Sequence, residues 1–277
     1  MNLLFAINRN YIPLLLSCLH SISVRGTERS CDVYILHSDL DAEDEAFISG
    51  AADPRFTCHF TAVPEELFAG FPETERYPVQ IYYRLAAPLL LPEHLDRILY
   101  LDVDTVIINS LQPLYATDFE GNWFAACTHA KEFLTKFNQF RLRIEKEVPY
   151  INTGIMLMNL PELRRHLRLD AIREYALEHQ RLLILPDQDV LTALYGDKVK
   201  IIDTLRYNIS DRVLAFHNAD PKMEKIDLNW VAQNSVIIHY FGKNKPWKEH
   251  YIGSLDVFYH QYGLPLKPET EKRTGNE

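Results

Sequence analysis

Arg97-Ile98-Leu99-Tyr100-Leu101-Asp102-Val103-Asp104-Thr105 is the stretch from which the rest of the chain is read. Ile98 to Leu101 form an apolar run with strand character. The run ends in two carboxylates one residue apart, and a second apolar run, Val106-Ile107-Ile108, follows. Open α/β sheets bind ligands beyond the carboxyl ends of their strands. Acids placed there fit a divalent cation held for a phosphorylated substrate. The plainer reading of Asp-x-Asp is a solvated turn bonded to its own backbone; the apolar run that resumes behind the acids favours the first.

The preceding residues set the fold class. Leu3 to Ile7 read as a buried strand and Ile12 to Val24 as a helix with Pro13 in its first turn. Asp32 to His37 form a second strand. Asp39 to Ser49 form a helix with an acidic first turn that Asp39 or Asp41 can cap, and Phe56 to Phe60 a third strand. This β-α-β-α-β opening predicts an α/β, mostly parallel nucleotide-binding sheet. The chain lacks a G-x-G-x-x-G turn, which argues against a dinucleotide version.

Pro64 to Pro78 are irregular, and Val79 to Leu91 read as a helix limited by Pro88. Beyond the central strand, Trp123 to Cys127 read as a strand and Lys131 to Glu147 as either a flap or an acceptor-side helix. Asn152-Thr153-Gly154 precede an apolar run, and Leu169 to His179 form a helix. Pro186-Asp187-Gln188-Asp189 precede a helix expected from Val190, which the acids can cap. Val199 to Ile202 make a strand, and Arg206-Tyr207-Asn208 open an irregular region. Val236 to Gly242 make a last strand, leading into Lys243 to Trp247. One domain is expected over residues 1–262, with a frayed tail over 263–277.

Composition narrows the classes. A net charge of -9 over 277 residues argues against a non-specific nucleic-acid binder. Cys18, Cys31, Cys58 and Cys127 match no zinc-site spacing and read as mostly buried thiols of a reducing compartment. The first residues do not read as a signal peptide, and no run reaches the roughly 18 to 20 apolar residues that span a bilayer.

Polar chemistry gathers at strand ends: Asp102 and Asp104, Asn152 to Gly154, and His239. Carboxylate oxygens with a neutral imidazole suit Mn²⁺ and tolerate Mg²⁺. Such an ion would neutralise a diphosphate leaving group; Lys245 would add charge, and Gly242 would let the backbone approach. Each residue also has a plainer reading. His239 fits a satisfied strand histidine, Asp187 and Asp189 helix caps, Arg84 a solvated helix residue, Asn8 and Asn10 turn formers, and Trp247 a buried anchor.

Taken in order, several pieces resemble family 8 glycosyltransferases, the group of bacterial lipopolysaccharide galactosyl- and glucosyltransferases and, more distantly, glycogenin. They are Phe5 to Tyr11, Tyr82 to Leu85, Leu99 to Asp104, Asn152 to Gly154, Asp187 to Asp189, and His239 to Trp247. The resemblance implies a GT-A fold with a small antiparallel addition. It implies transfer of glucose or galactose from a UDP-sugar to a carbohydrate-type acceptor, with retention at the anomeric carbon. It further implies Asp102, Asp104 and His239 as Mn²⁺ ligands, and Ala6, Asn8, Asn10 and Val103 on the nucleotide side. Arg84, Asp102, Asn152, Asp187 and Gln188 fall on the sugar side, and Gly242 and Lys245 at the diphosphate. Asn8 replaces an acid found in the galactosyltransferases; its amide keeps hydrogen bonding but changes the donor and acceptor pattern. The family's long basic, aromatic carboxyl-terminal segment has no counterpart after Tyr262, so a cytoplasmic location with at most peripheral contact at the inner membrane face is expected. Gln188 is a poor nucleophile, which favours front-face transfer, with Asp187 in reserve for a covalent route. UDP-sugar hydrolysis, self-glycosylation and silent nucleotide-sugar binding are the rival functions.

Overall fold

The computed structural model describes residues 1–25, 30–73, 78–128 and 132–265. Its strands are β1 (Asn2–Ile7), β2 (Cys31–His37), β3 (Phe56–Ala62), β4 (Arg97–Leu101), β5 (Thr105–Ile107), β6 (Phe124–Ala126), β7 (Ile155–Asn159), β8 (Val199–Ile201) and β9 (Ile237–His239). Seven of them form one sheet in the order β3-β2-β1-β4-β7-β6-β8, while β5 and β9 form a separate antiparallel pair. The pairs β1–β2, β2–β3, β1–β4 and β6–β8 are parallel, and β7 runs antiparallel to both of its neighbours. The fold is therefore GT-A-like, a mainly parallel sheet flanked by helices with a small antiparallel addition, as the sequence led us to expect.

Helices cover both faces of the sheet, so its central strands are apolar at consecutive positions rather than at alternate ones. Leu4, Ile98, Tyr100, Met156 and Met158 pack on one side with Tyr82, Tyr83 and Leu85. Leu3, Phe5, Leu99, Leu101 and Leu157 pack on the other with Leu15, Leu19 and Ile22. A third cluster, with Val106, Ile108, Ile238 and Tyr240, seals the β5–β9 pair against Leu255 and Tyr259.

Local chemistry explains the boundaries. Asp41 caps the helix Ala42–Ala51 in a reciprocal capping box with Asp44, whereas Asp39 instead accepts from the Arg9 amide. Val79–Tyr82 is a 3₁₀ turn that leads into the helix Tyr83–Leu90, which contains Pro88. The helix expected from Val190 begins earlier, at Pro186, so Asp187 and Asp189 lie in its first turn and neither caps it. The region after Arg206 is more regular than expected, with helices Thr204–Tyr207, Asp211–Ala219 and Leu228–Asn234. Of the expected frayed tail, Leu264 donates to Ser17 Oγ at 3.0 Å; residues 266–277 lie outside the described residues.

The stretch expected as a flap or helix contains the helix Glu132–Arg141, and its last residue anchors it. Arg141 binds fully buried Asp189 through both carboxylate oxygens, at 2.6 and 2.9 Å. Tyr150 Oη donates to Asp189 at 2.6 Å, and the amides of Ile184 and Leu185 donate at 2.6 and 3.1 Å. This network holds the segment that carries Asp187 and Gln188. Removing one partner of a buried pair costs roughly 3–5 kcal/mol. Arg141→Met should therefore lower the unfolding free energy by about 3 kcal/mol, read as a fall in the urea midpoint at unchanged m value.

Candidate functional site

Two antiparallel pairings assemble the site. Leu101 of β4 opposes Ile155 of β7, and the Asp102 amide donates to the Gly154 carbonyl at 2.7 Å. The carboxyl end of the central strand thereby meets Asn152-Thr153-Gly154. Thr105 opposes His239 in the β5–β9 pair, and the Tyr240 amide donates to the Asp104 carbonyl at 2.9 Å. The turn between β4 and β5 is held by Thr105 Oγ1, which donates to the Asp102 carbonyl at 2.8 Å.

Suitable donor atoms of Asp102, Asp104 and His239 all lie within 4.8 Å of one another. His239 Nε2 is 3.1 Å from Asp104 Oδ1 and 3.8 Å from Asp102 Oδ2. Both His239 Nε2 and Asp104 Oδ1 are buried without a hydrogen-bond partner. Buried polar atoms are ordinarily satisfied, so two orphans facing each other fit a divalent cation between them. Lys245 Nζ donates to the Asp104 carboxylate and, at 2.6 Å, to the Tyr240 carbonyl. Gly154 leaves the room this cluster needs. A Cβ there would collide with His239 Cε1 and lie 2.6 Å from Asp102 Oδ2.

Arg84 is buried, not a solvated helix residue. Its Nη1 lies 3.1 Å from Asp102 Oδ1 and donates to the Thr153 carbonyl at 2.9 Å; the guanidinium stacks 4.5 Å above the Tyr100 ring. Burial works against its charge, yet Asp102, Tyr100 and Asp187 raise its pKa above the ordinary value. Asp187 Oδ2 accepts from Thr153 Oγ1 at 2.7 Å and lies 3.6 Å from Arg84 Nε. Burial raises the Asp187 pKa despite Arg84.

A cleft of about 800 Å³ runs from the acids toward the start of the chain. It is lined by Ala6, Asn8, Asn10, Arg84, Asp102, Val103, Asp104, Gly242 and Lys245. Every residue read as contacting the nucleotide or diphosphate thus faces one cleft. Asn8 also acts as a turn former, its Oδ1 accepting from the Asn10 amide at 3.0 Å. Gly242 has a left-handed backbone at φ +85°, so conformation rather than crowding favours glycine there. Trp247, read as a buried anchor, is half-buried: it packs 5.4 Å from Tyr259 and also lines the cleft. Asn152, Asp187, Gln188 and His239 lie behind this lining, with Asn152 Nδ2 3.4 Å from Gln188 Oε1. Sequence reasoning missed Thr153 as the partner of Asp187 and Asn208 as the partner of His239. Asn208 belongs to a segment read as irregular, and the parallel bridge between Ile209 and Ile238 brings it to the site.

Residues 2–251 match the model of glycosyl transferase family 8. A Haemophilus influenzae protein classed as a glycosyltransferase is 30% identical over 254 residues, covering 89% of this chain and 73% of that protein. An Escherichia coli lipopolysaccharide 1,2-glucosyltransferase is 25% identical over 286 residues, covering 100% of this chain and 84% of that enzyme. The crystal structure of the galactosyltransferase LgtC, in complex with donor and acceptor sugar analogues, superposes with a TM-score of 0.79 at 24% identity, over 97% of this chain and 98% of that one.

The crowding at Gly154 gives a direct test of the cluster. Gly154→Ala should push His239 and Asp102 apart and weaken Mn²⁺ binding by about tenfold or more, as measured by titration calorimetry. Cooperative thermal unfolding should persist, because β7 itself begins one residue later.

Proposed function

The chain belongs to glycosyl transferase family 8, and we propose that it transfers a hexose, glucose or galactose, from a UDP-sugar to a hydroxyl of a carbohydrate acceptor, with retention at the anomeric carbon. One observation carries this reading. A single cleft is lined by the Asp-x-Asp pair that sits beside His239, by the basic residues Arg84 and Lys245, and by Asn8 and Asn10 at the end of the first strand. These groups suit a cation, a diphosphate and a nucleoside respectively. The E. coli relative is a glucosyltransferase acting on lipopolysaccharide and LgtC is a galactosyltransferase, which supports a sugar donor and a glycan acceptor.

Asp102, Asp104 and His239 would hold Mn²⁺, with Mg²⁺ as a second choice, and the ion when bound would offset the charge of the diphosphate. Lys245 would bind the same diphosphate through a charge-assisted hydrogen bond, and the backbone at Gly242 would come close to it. Ala6, Asn8, Asn10 and Val103 would seat the uridine. Arg84, fixed by Asp102, Asp187 and Thr153, would present its guanidinium to the sugar. In the transfer, the bond from the anomeric carbon to the phosphate oxygen breaks and a bond to the acceptor oxygen forms on the same face. The acceptor proton passes to the departing phosphate oxygen. Asn152 and Gln188 would bound the opposite face, where an amide stabilises developing positive charge without forming a bond. Asp187 serves this scheme as a positioning residue, since its carboxylate is engaged by Thr153 and Arg84.

Calorimetry of UDP, UDP-glucose and UDP-galactose, each with and without Mn²⁺, tests the donor assignment. Metal-dependent UDP binding with preference for one sugar is expected; no binding by folded protein would sink it. Asp104→Ala should abolish metal-dependent turnover in a protein that still folds cooperatively, whereas full turnover at saturating Mn²⁺ would remove Asp104 from the ligand set.

A further inference from the structure

We propose that Asn208 is a positioning residue whose amide fixes the tautomer of His239 and, through Asn152, the orientation of Gln188. A backbone N–H fixes the polarity of the first link. The Gly154 backbone N–H donates to Asn152 Oδ1 at 3.2 Å, so that atom is an acceptor. Asn208 reaches the same oxygen at 2.8 Å and must do so with its Nδ2 amide hydrogens. Its other end, Oδ1, then faces His239 Nδ1 at 3.0 Å and can only accept. His239 Nδ1 therefore carries a proton, and in the neutral imidazole the lone pair lies on Nε2, the buried atom that faces Asp104. A metal-binding imidazole needs this arrangement: one nitrogen donating to an outer partner, the other bare. In the opposite direction, Asn152 has committed its oxygen, so its amide hydrogens point to Gln188 Oε1 at 3.4 Å. Four side chains thus form one directed chain, His239 to Asn208 to Asn152 to Gln188. Asn208 is its only link between the cation cluster and the sugar side among these bonds, and it is wholly buried.

The Gln188 end of this inference rests on the proposed transfer reaction; the His239 end does not. In the metal-free protein, at a pH where the imidazole is neutral, ¹⁵N NMR of His239 should show a protonated Nδ1 and a bare Nε2. Asn208→Leu removes both bonds, so the tautomers should mix and Mn²⁺ affinity should fall about 10- to 100-fold. Asn208→Asp keeps an acceptor for Nδ1 but loses the donor to Asn152. Its tautomer should be that of the parent and its Mn²⁺ affinity should not fall, while kcat drops about 10- to 100-fold with KM for the donor little changed. A protonated Nε2 in the parent protein would overturn the proposal without any variant having to fold. Unchanged Mn²⁺ affinity in folded Asn208→Leu, or unchanged kcat in Asn208→Asp, would overturn it equally. Should the parent protein transfer no hexose, the proposed reaction fails by itself, and the tautomer and Mn²⁺ titrations still decide the role of Asn208.

Discussion

The antiparallel pairing of Thr105–Ile107 with Ile237–His239 is the constraint on which the site depends. Asp102 and Asp104 are local to one turn, and by themselves they would form an exposed acidic loop. The two-stranded pair delivers a buried imidazole from far along the chain to within 3.1 Å of Asp104. The same pair receives the bridge from Ile209, which brings in Asn208. An isolated two-stranded pair is marginal in water. Here it persists because Val106, Ile108, Ile238 and Tyr240 bury against the carboxyl-terminal helix Asp256–Tyr262. A distant apolar cluster is thus what keeps the ligands together.

Charge at the site is balanced rather than merely negative. The chain carries a net charge of -9, yet Arg84 and Lys245 each contact one of the two acids. Burying a charge is costly unless it is paired and hydrogen-bonded. Arg84 meets that condition through Asp102, the carbonyls of Ile81 and Thr153, and the face of Tyr100. Asp189 meets it through Arg141, Tyr150 and two backbone amides. Gln80, Tyr82 and Thr192 also carry a buried unpartnered atom, but those of His239 and Asp104 face each other 3.1 Å apart at a strand end, which supports a bound cation more strongly than the acids alone.

Much of this was legible in the sequence, for physical reasons. Strands covered on both faces leave continuous apolar runs, so Leu3 to Ile7 and Ile98 to Leu101 announce themselves. The residues read as nucleotide contacts lie at the ends of such runs and converge on one cleft because parallel strands share one carboxyl edge. Spacing does not encode the antiparallel register of β7, so it could not place Gly154 beneath His239. Nor does it show that Asp189, two residues from Asp187, is a structural anchor for the helix Glu132–Arg141 rather than a cap. The helices Thr204–Tyr207, Asp211–Ala219 and Leu228–Asn234 are short and carry little periodic signal, which hid Asn208 among residues read as irregular.

The central claim is that Asp102, Asp104 and His239 hold one divalent cation at the head of the nucleotide cleft. Anomalous X-ray scattering from crystals grown with MnCl₂ and UDP tests it most directly. The account predicts a single strong manganese peak bounded by the two carboxylates, His239 Nε2 and the diphosphate. A manganese peak elsewhere, or well-ordered UDP in the cleft with no manganese between it and these side chains, would contradict it.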